Sequence, residues 1–256
     1  MFDWLKRWRD ARTLERRAIP DALWRLTLTR FPFLALPIES DAIRLREMAT
    51  LFLAEKEFTG AQGLEVDDEM AVAIAAQACL PVLNLGLHWY DGFIGIVIHA
   101  DAVVAQREVE DESGVVHRFE EELTGEAMQG GPVMLSWRDV VEAGESADAG
   151  YNVVIHEFAH VLDMRNGHAD GVPARPDRVA QDRWLQVLTA QYQAFCDTLQ
   201  SGQDTLLDPY AAEAPEEFFA VTTEAFFVAA ADFRAHHPEM HALLSEFYRQ
   251  DPAARG

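Results

Sequence analysis

The stretch I-H-E-F-A-H at residues 155–160 constrains this chain more than any other. Residues four apart lie one turn apart on the same face of an α-helix, so His156 and His160 can direct their imidazoles at one point. Glu157 flanks that point. Two imidazoles beside a carboxylate are typical of a site that holds Zn²⁺ and takes a proton from a water that the metal activates. The stretch therefore predicts an active-site helix with His156 and His160 as zinc ligands and Glu157 as general base.

The context of this motif strengthens the prediction, because His-Glu-x-x-His alone arises by chance in on the order of one chain in a hundred of this length. Apolar residues surround it on almost every side of the helix: Val153, Val154, Ile155, Phe158, Ala159, Val161 and Leu162. Burying two histidines and a glutamate is costly unless something inside the protein satisfies them, and a metal with its water would do so. The alternative is a core helix whose histidines pair with carboxylates or carbonyls.

A catalytic zinc takes three protein ligands, so one more is needed. The elongated form of the motif has a glycine and a third histidine, but these positions hold Asp163 and Asn166. A later helix, which begins P-E-E-F-F-A-V-T-T-E at residue 215, offers three glutamates: Glu216, Glu217 and Glu224. Glu217 and Glu224 share a face, so one can bind the metal while the other supports it from behind. Periodicity alone does not choose between Glu216 and Glu217.

Two more polar residues are candidates for supporting roles. Asp163 lies on the same helix stripe as the histidines, where it either orients a ligating imidazole or is simply a polar residue near the helix end. Tyr210, in D-P-Y-A-A, lies on a predicted loop that enters the later helix. Its phenol can donate a hydrogen bond to the oxyanion that forms when water attacks a peptide carbonyl. The alternative for Tyr210 is to cap the loop.

The rest of the chain predicts an α+β fold. Helical spacing of apolar residues over 21–30, 41–57 and 67–80 makes residues 1–86 mainly helical. Between residues 87 and 140 four β-rich runs indicate a small mixed or antiparallel sheet. These runs are F-I-G-I-V-I-H at 93–99, V-V-A-Q-R-E-V-E at 103–110, G-V-V-H-R-F-E at 114–120 and P-V-M-L-S-W at 132–137. D-E-S-G at 111–114 is the predicted turn of a hairpin.

The last part of the chain, residues 150–250, is predicted to be a helical catalytic half. Its predicted helices cover 151–165, 179–200, 215–231 and 237–249, and Asn166-Gly167 closes the first of them. Neither a repeat nor a low-complexity linker divides the sequence, so we expect a single domain over residues 1–256.

Charge and composition exclude several classes of protein. The 43 acidic and 21 basic side chains give a net charge of −22, which repels phosphate backbones and anionic lipid surfaces, so no direct nucleic acid partner is expected. No run of about 18 apolar residues predicts a membrane span and no secretory signal is recognised, so we expect a cytoplasmic protein. Two cysteines provide no disulfide framework or cysteine metal cluster. Metal ligands must therefore come from histidine and carboxylate.

Two other segments invite a functional interpretation. Residues 1–17 carry a local charge of +3 with aromatic residues interleaved, and we expect this helix to pack its aromatic side on the core, with partner docking as the alternative. His236, His237 and His241, in H-H-P-E-M-H, are expected to lie on the surface, in a loop and the first turn of a terminal helix, and not to form a second metal tract. His168 is likewise expected to be a loop residue.

These motifs resemble the Mlc titration factor A family of bacterial zinc metallopeptidases. The matching stretches are I-H-E-F-A-H-V-L-D at 155–163, D-G-V-P at 170–173, P-E-E-F-F-A-V-T-T-E-A-F-F at 215–227, G-E-A at 125–127 and G-P-V-M-L-S-W at 131–137. The similarity runs from about residue 20 to residue 250. The catalytic half is also similar to that of anthrax lethal factor, in which a tyrosine precedes the third-ligand glutamate by seven residues.

The resemblance implies a zincin-like fold of the gluzincin type with one zinc per chain. It implies that His156, His160 and Glu217 bind the zinc, that Glu157 is the general base and that Tyr210 stabilises the transition state. It further implies a cytosolic peptidase, with a leaning toward aminopeptidase activity. Finally, it implies binding to the glucose-responsive repressor Mlc and hence a role in regulating the glucose phosphotransferase system. The alternative function is a binding protein that sequesters this repressor without cutting a peptide.

We expect the substrate peptide to pair its backbone with an edge strand of the sheet. The strand chosen for this role is G-P-V-M-L-S-W, because Pro132 near its start is compatible with an edge, where a missing N–H donor costs little.

Overall fold

Helices and a small sheet make up the computed structural model, which describes residues 3–110, 116–145 and 150–255. The strands in these ranges are β1 (Glu57–Gly60), β2 (Gly95–His99), β3 (Val103–Glu110), β4 (Val116–Leu123), β5 (Gly125–Ala127) and β6 (Val133–Ser136). The α-helices are α1 (Asp3–Arg17), α2 (Asp21–Arg30), α3 (Glu39–Glu55), α4 (Asp68–Cys79), α5 (Trp137–Glu145), α6 (Val153–Asp163), α7 (Arg178–Gln200), α8 (Pro215–Val228), α9 (Ala230–His236) and α10 (Pro238–Tyr248). The α+β class is confirmed.

The main sheet is mixed and has the strand order β1-β2-β6-β5. β1 pairs with β2 and β2 with β6 in parallel, whereas β5 is antiparallel to β6. β3 and β4 form a separate antiparallel pair, and the turn predicted between them at 111–114 falls outside the described residues. All four predicted strands are confirmed.

Two short strands, β1 and β5, were not predicted. Residue 57 was assigned to the end of a helix, but α3 ends at Glu55 and Lys56 is extended (φ −104°, ψ 150°). The Lys56 ammonium donates to the carbonyls of Tyr90 and Phe93, at 2.6 Å each, and so fixes the chain beside β2. Tertiary pairing therefore overrides the local preference for helix at this point.

The prediction that G-P-V-M-L-S-W forms an edge strand is wrong. β6 lies between β2 and β5, so its backbone is paired on both sides, and the edges of the main sheet are β1 and β5. Pro132 precedes the first paired residue of β6, Val133, and its missing N–H therefore removes no bond from the ladder. Of these two edge strands, the one next to the candidate site is β5, the G-E-A strand.

The helix of the His-Glu-x-x-His motif, α6, has a cap at each end. The Asn152 side chain accepts a hydrogen bond from the Ile155 N–H at 2.9 Å, which satisfies a donor that the first turn leaves unpaired. At the other end one turn of 3₁₀ helix leads to Gly167 in the left-handed conformation (φ 99°), as predicted. Between the caps, Phe158 is completely buried and packs against Phe52, Tyr90 and Phe93.

Helix α8 begins with Pro215 and packs against α6. It ends at Val228, not at 231, because Ala229 leaves the helical region (φ −119°, ψ 44°). The chain then turns into α9, which places the Phe233 ring edge-on to Phe226 at 6.5 Å. Phe218 and Phe219 of α8 are also completely buried. Apolar packing on several sides therefore fixes the position of α8 relative to α6.

Two surface predictions are corrected. The aromatic side of α1 does not pack on the core, since Trp4 and Trp8 are 58% and 57% exposed. The contact of α1 with α3 includes an Arg9–Glu55 ion pair of 3.5 Å. His241, expected on the surface, is only 5% exposed and packs against the Phe226 ring.

In the part of the chain described here, no helix combines the length and the apolar character needed to cross a membrane. The organisation of residues 1–256 as a single domain stays a prediction.

Candidate metal centre

Three of the predicted residues converge where α6 faces the first turn of α8. The Nε2 atoms of His156 and His160 are 3.1 Å apart. The Glu217 Oε2 lies 3.0 Å from the first and 3.4 Å from the second. The ligand atoms of these three side chains all lie within 4.8 Å of one another. No other three His, Cys, Asp or Glu side chains among the described residues form such a group. Glu216, the neighbour of Glu217, is outside this group.

The opposite ring nitrogen of His156 is held by Glu224. Its Oε1 accepts from the Nδ1 of His156 at 2.7 Å, and its Oε2 accepts from the backbone N–H of Asn152. Both carboxylate oxygens are thus engaged, and the residue is only 2% exposed. With its proton on Nδ1, the imidazole of His156 presents the Nε2 lone pair to the point between the three converging side chains. The Glu224 carboxylate thus holds His156 on the side away from the converging side chains, whereas the sequence predicted only that one of Glu217 and Glu224 would take this supporting position.

Glu157 lies beside the same point and is 5% exposed. Its Oε2 is buried and has no hydrogen-bond partner among the described residues. On the other side, β5 passes so close that a Cβ added to Gly125 would lie 2.5 Å from the Glu157 Oε1. Only glycine leaves room for the carboxylate there. A buried carboxylate with an unpaired oxygen is costly, which is typical of a group kept ready for a proton.

Burial and charge perturb the acids of the site in opposite directions. Burial raises the pKa of Glu217, but hydrogen bonds with both histidines outweigh burial and lower this pKa to about 2. Burial raises the pKa of Glu157 and of Glu224. For His156, burial lowers the pKa, but the charge of Glu224 and the hydrogen bonds with Glu217 and Glu224 more than offset this, so the pKa is raised well above its usual range. The carboxylates around His156 therefore stabilise a positive charge at its Nε2, which either a proton or a bound metal ion would supply.

The donor set fits a divalent metal ion. Two imidazole nitrogens and one carboxylate oxygen are a ligand set typical of catalytic zinc sites, and the carboxylate behind His156 is the usual support for a ligating imidazole. The unpaired Oε2 of Glu157 is the kind of buried polar atom that a metal-associated water would satisfy. The three side chains are half-buried, so the site remains open to solvent on one side.

Tyr210 lies on a short 3₁₀ turn, Pro209–Ala212, that leads into α8. Asp208 caps this turn by accepting from the Tyr210 N–H at 2.8 Å. The phenol ring is 41% exposed, and its centroid is 6.1 Å from that of His156. Tyr210 therefore lies in the segment that enters α8, as predicted, and the structure also places its ring near that of His156.

Asp163 does not hydrogen-bond an imidazole of the described residues. Its Oδ2 accepts from the backbone N–H groups of Asp170 and Gly171 at 2.9 and 2.7 Å, and burial raises its pKa to about 7. Gly171, with φ +75°, passes so close to Pro215 that an added Cβ would lie 2.6 Å from the Pro215 carbonyl oxygen. Asp163 therefore holds the D-G-V-P loop, which packs against the first residue of α8.

Two residues that shape the site, Asn152 and Gly125, were not predicted from the sequence. Asn152 carries a helix-cap signal, but its backbone bond to Glu224 depends on a contact 72 residues away. Gly125 was noted only as part of a family stretch, and its closeness to Glu157 becomes visible only in three dimensions. His168 is exposed and outside the metal-binding group.

Comparison with known proteins identifies the family of this chain. The model of the family described as glucose-regulated metallo-peptidase M90 matches residues 5–249. Relatives named Mlc titration factor A include one from Salmonella arizonae, 37% identical over 92% of this chain and 93% of its own length. A relative from Escherichia coli strain SMS-3-5 is 36% identical over 97% of this chain and 92% of its own length. One from Klebsiella pneumoniae is 38% identical over 88% of this chain and 84% of its own length. The predicted resemblance is confirmed, and the chain belongs to the glucose-regulated metallo-peptidase M90 family.

Proposed function

We propose that this chain is a zinc-dependent peptidase of the gluzincin type, with one zinc per chain held by His156, His160 and Glu217. The observation that carries the proposal is the convergence of these three ligand atoms beside the unpaired, buried Oε2 of Glu157. When bound, Zn²⁺ polarises a peptide carbonyl and lowers the pKa of a water. A zincin-like arrangement is supported by the active-site helix α6 and the antiparallel edge strand β5 beside it.

Glu157 is the general base and then the general acid. Its Oε2 takes a proton from the water whose oxygen attacks the carbonyl carbon, and it later gives that proton to the leaving amine nitrogen as the C–N bond breaks. Burial raises the pKa of Glu157, which brings it closer to that of a group able to accept and return a proton near neutral pH. Gly125 supports this role, because it leaves the carboxylate its space.

Tyr210 donates its phenolic hydrogen to the oxyanion that develops on the attacked carbonyl. The closeness of its ring to His156 and the exposure of the residue support this role, since a donor there can reach a substrate at the metal centre. Such a hydrogen bond strengthens only as negative charge builds up, so it lowers the barrier without tightening the binding of the substrate.

The substrate backbone pairs with β5, which replaces β6 in this role. β5 is an edge strand of the main sheet beside α6, and its Gly125 lies close to Glu157, so a substrate strand can be added next to the proposed general base. An antiparallel peptide laid on this edge presents its carbonyl to the metal centre.

The family resemblance further favours an aminopeptidase in the cytoplasm. An aminopeptidase requires a free amino group next to the scissile bond. Acetylating the amino group of a good substrate should then abolish its hydrolysis.

A second candidate function is binding of the transcriptional repressor Mlc, and it follows from the name that the relatives share. In this case the chain acts by sequestration and so regulates the glucose phosphotransferase system. The two functions separate in one variant: capture of purified Mlc should survive Glu157→Gln, whereas any effect that depends on proteolysis should not.

The peptidase function is tested by measuring zinc content and peptide hydrolysis in the same preparation of Glu157→Gln. We expect the zinc content of wild type with hydrolysis lowered by a factor of about 1,000 or more, because glutamine cannot accept the proton. Turnover close to that of wild type in the zinc-loaded variant would refute the assignment of Glu157.

A further inference from the structure

A cavity of about 510 Å³ adjoins the metal centre. His156 and Glu157 form part of one wall, and Thr124 and Gly125, at the start of β5, form another. The segment 205–210 and the third turn of α8 complete it. Because the proposed general base and an edge-strand residue both line this cavity, a side chain of a peptide bound at β5 can enter it.

Apolar side chains make up much of the cavity lining. Its apolar lining residues are Tyr151, Val153, Leu206, Leu207, Val221 and Ala225. Val153, Leu207, Val221 and Ala225 are buried, and Leu206 is half-buried. Val221 and Ala225 are four residues apart, so they present their side chains from the same face of α8.

Apart from the Glu157 Oε2, which serves the proposed proton transfer, the polar side chains of the lining already have partners. The Glu224 carboxylate is engaged by His156 and Asn152, as described above. The Tyr151 hydroxyl lies 3.3 Å from the Thr124 hydroxyl, and the Asp208 Oδ1 accepts from the Tyr210 N–H. The described residues that line the cavity include neither lysine nor arginine. A carboxylate on a substrate side chain would therefore meet no lysine or arginine, and a cation would find both oxygens of Glu224 already engaged. An apolar group, in contrast, would gain from leaving water.

We propose that this cavity, the side-chain pocket, binds a large apolar side chain of the substrate residue next to the scissile bond. The substrate class is then peptides with leucine-like or phenylalanine-like residues at that position. The volume lies within the range of about 300 to 1,000 Å³ that is usual for ligand sites, which is ample for an aromatic ring. The inference rests on the proposed peptidase function and specifies its substrate.

Val221 is the position at which the pocket can be filled, since its side chain lies in the lining and is itself 7% exposed. The test compares hydrolysis by the zinc-loaded full-length chain of peptides that differ only at the residue next to the scissile bond. This residue is alanine, leucine, phenylalanine, lysine or glutamate. We expect wild type to prefer leucine and phenylalanine over the other three by about tenfold or more in kcat/KM. In Val221→Phe the ratio of kcat/KM for the phenylalanine peptide to that for the alanine peptide should fall about tenfold.

The matched control is Val179→Phe, the same substitution on α7 at a side chain that is 78% exposed; it should leave the ratio unchanged. Should Val221→Phe fail to fold in thermal melting, Leu206→Ala carries the test, because removing a wall of the pocket should also lower the ratio by about tenfold.

The outcomes distinguish the two proposals. Hydrolysis without preference, or a folded, zinc-loaded Val221→Phe that loses all substrates equally, overturns the side-chain pocket and leaves the peptidase function standing. Zinc-loaded wild type that cleaves none of the peptides overturns both.

Discussion

Two turns of the same helix carry the same residue for different purposes. Glu217, in the first turn of α8, meets the Nε2 of His156, and Glu224, in the third turn, meets the Nδ1 of the same ring. The Glu217 side chain is 18% exposed and shares its oxygen with His160, whereas the Glu224 side chain is 2% exposed and also accepts from Asn152. Hydrogen bonds with the histidines lower the pKa of the first carboxyl to about 2, while burial raises that of the second.

The comparison shows that position along a helix face, and not residue type, decides what a carboxylate does here. Glu217 and Glu224 are seven residues apart, which corresponds to two turns and about 10.5 Å of helix. This separation lets the two carboxylates contact the two opposite ring nitrogens of His156. The first carboxylate is open to a ligand, and the second has no oxygen left for one. Substitutions that exchange, weaken or bypass these two roles therefore test the account, and they differ greatly in expected size.

Glu217→Gln should have the largest effect. Loss of the carboxylate charge removes the third proposed ligand, so we expect zinc content far below one per chain and hydrolysis lowered by a factor of about 1,000 or more. Elemental analysis and kcat/KM measure the two effects. The control is Glu216→Gln, the neighbouring half-buried glutamate outside the metal-binding group. Equal losses in the two variants would contradict the assignment of the third ligand.

Tyr210→Phe should have the next largest effect, because it removes a donor that acts only in the transition state. We expect kcat to fall about 100-fold with KM and zinc content nearly unchanged. The phenyl ring keeps the contact with His156, so a structural role alone would leave kcat close to that of wild type. A rise in KM with constant kcat would show that the phenol binds substrate and does not stabilise the transition state.

Glu224→Gln should have a smaller effect that differs in kind from that of Glu217→Gln. The amide can still contact Nδ1, so zinc should bind at full stoichiometry but about 10- to 100-fold more weakly in competition with a chelator. If this variant instead lost zinc completely, as expected for Glu217→Gln, the distinction between the two turns would fail.

Asp163→Ala extends the comparison to a carboxylate that acts through the backbone, and its effect on hydrolysis should be the smallest. Removing the acceptor of the Asp170 and Gly171 N–H groups should lower the free energy of unfolding by about 2 kcal/mol. Urea denaturation measures this loss. Kinetics at saturating zinc should change only a few-fold, and a loss of zinc binding would show instead that Asp163 supports a ligand directly.

The metal centre could be predicted from sequence because both of its helices are encoded locally. His156 and His160 are one turn apart, and Glu217 and Glu224 are two turns apart, so helical periodicity alone places each pair on a face. The choice of Glu217 over Glu216, however, came from the family resemblance. The structure agrees, because Glu217 alone joins the two histidines.

The parts that were missed depend on contacts between distant residues. β1 and β5 have four and three residues, too few for a period-2 pattern, and they exist because β2 and β6 pair with them. The prediction placed β6 at the edge of the sheet for the same reason, because the sequence of a single strand does not determine the strand order. The exposure of Trp4 and Trp8 likewise depends on where α1 lies against α3, which its amphipathic pattern does not determine.

The most direct test of the central claim is anomalous diffraction at the zinc absorption edge from crystals of the zinc-loaded protein. The account predicts one strong peak per chain, about 2.0 to 2.2 Å from the Nε2 atoms of His156 and His160 and from a carboxylate oxygen of Glu217, with the Glu224 carboxylate still on the Nδ1 of His156. A peak bound by Glu224 in place of Glu217, or by neither residue, would contradict it.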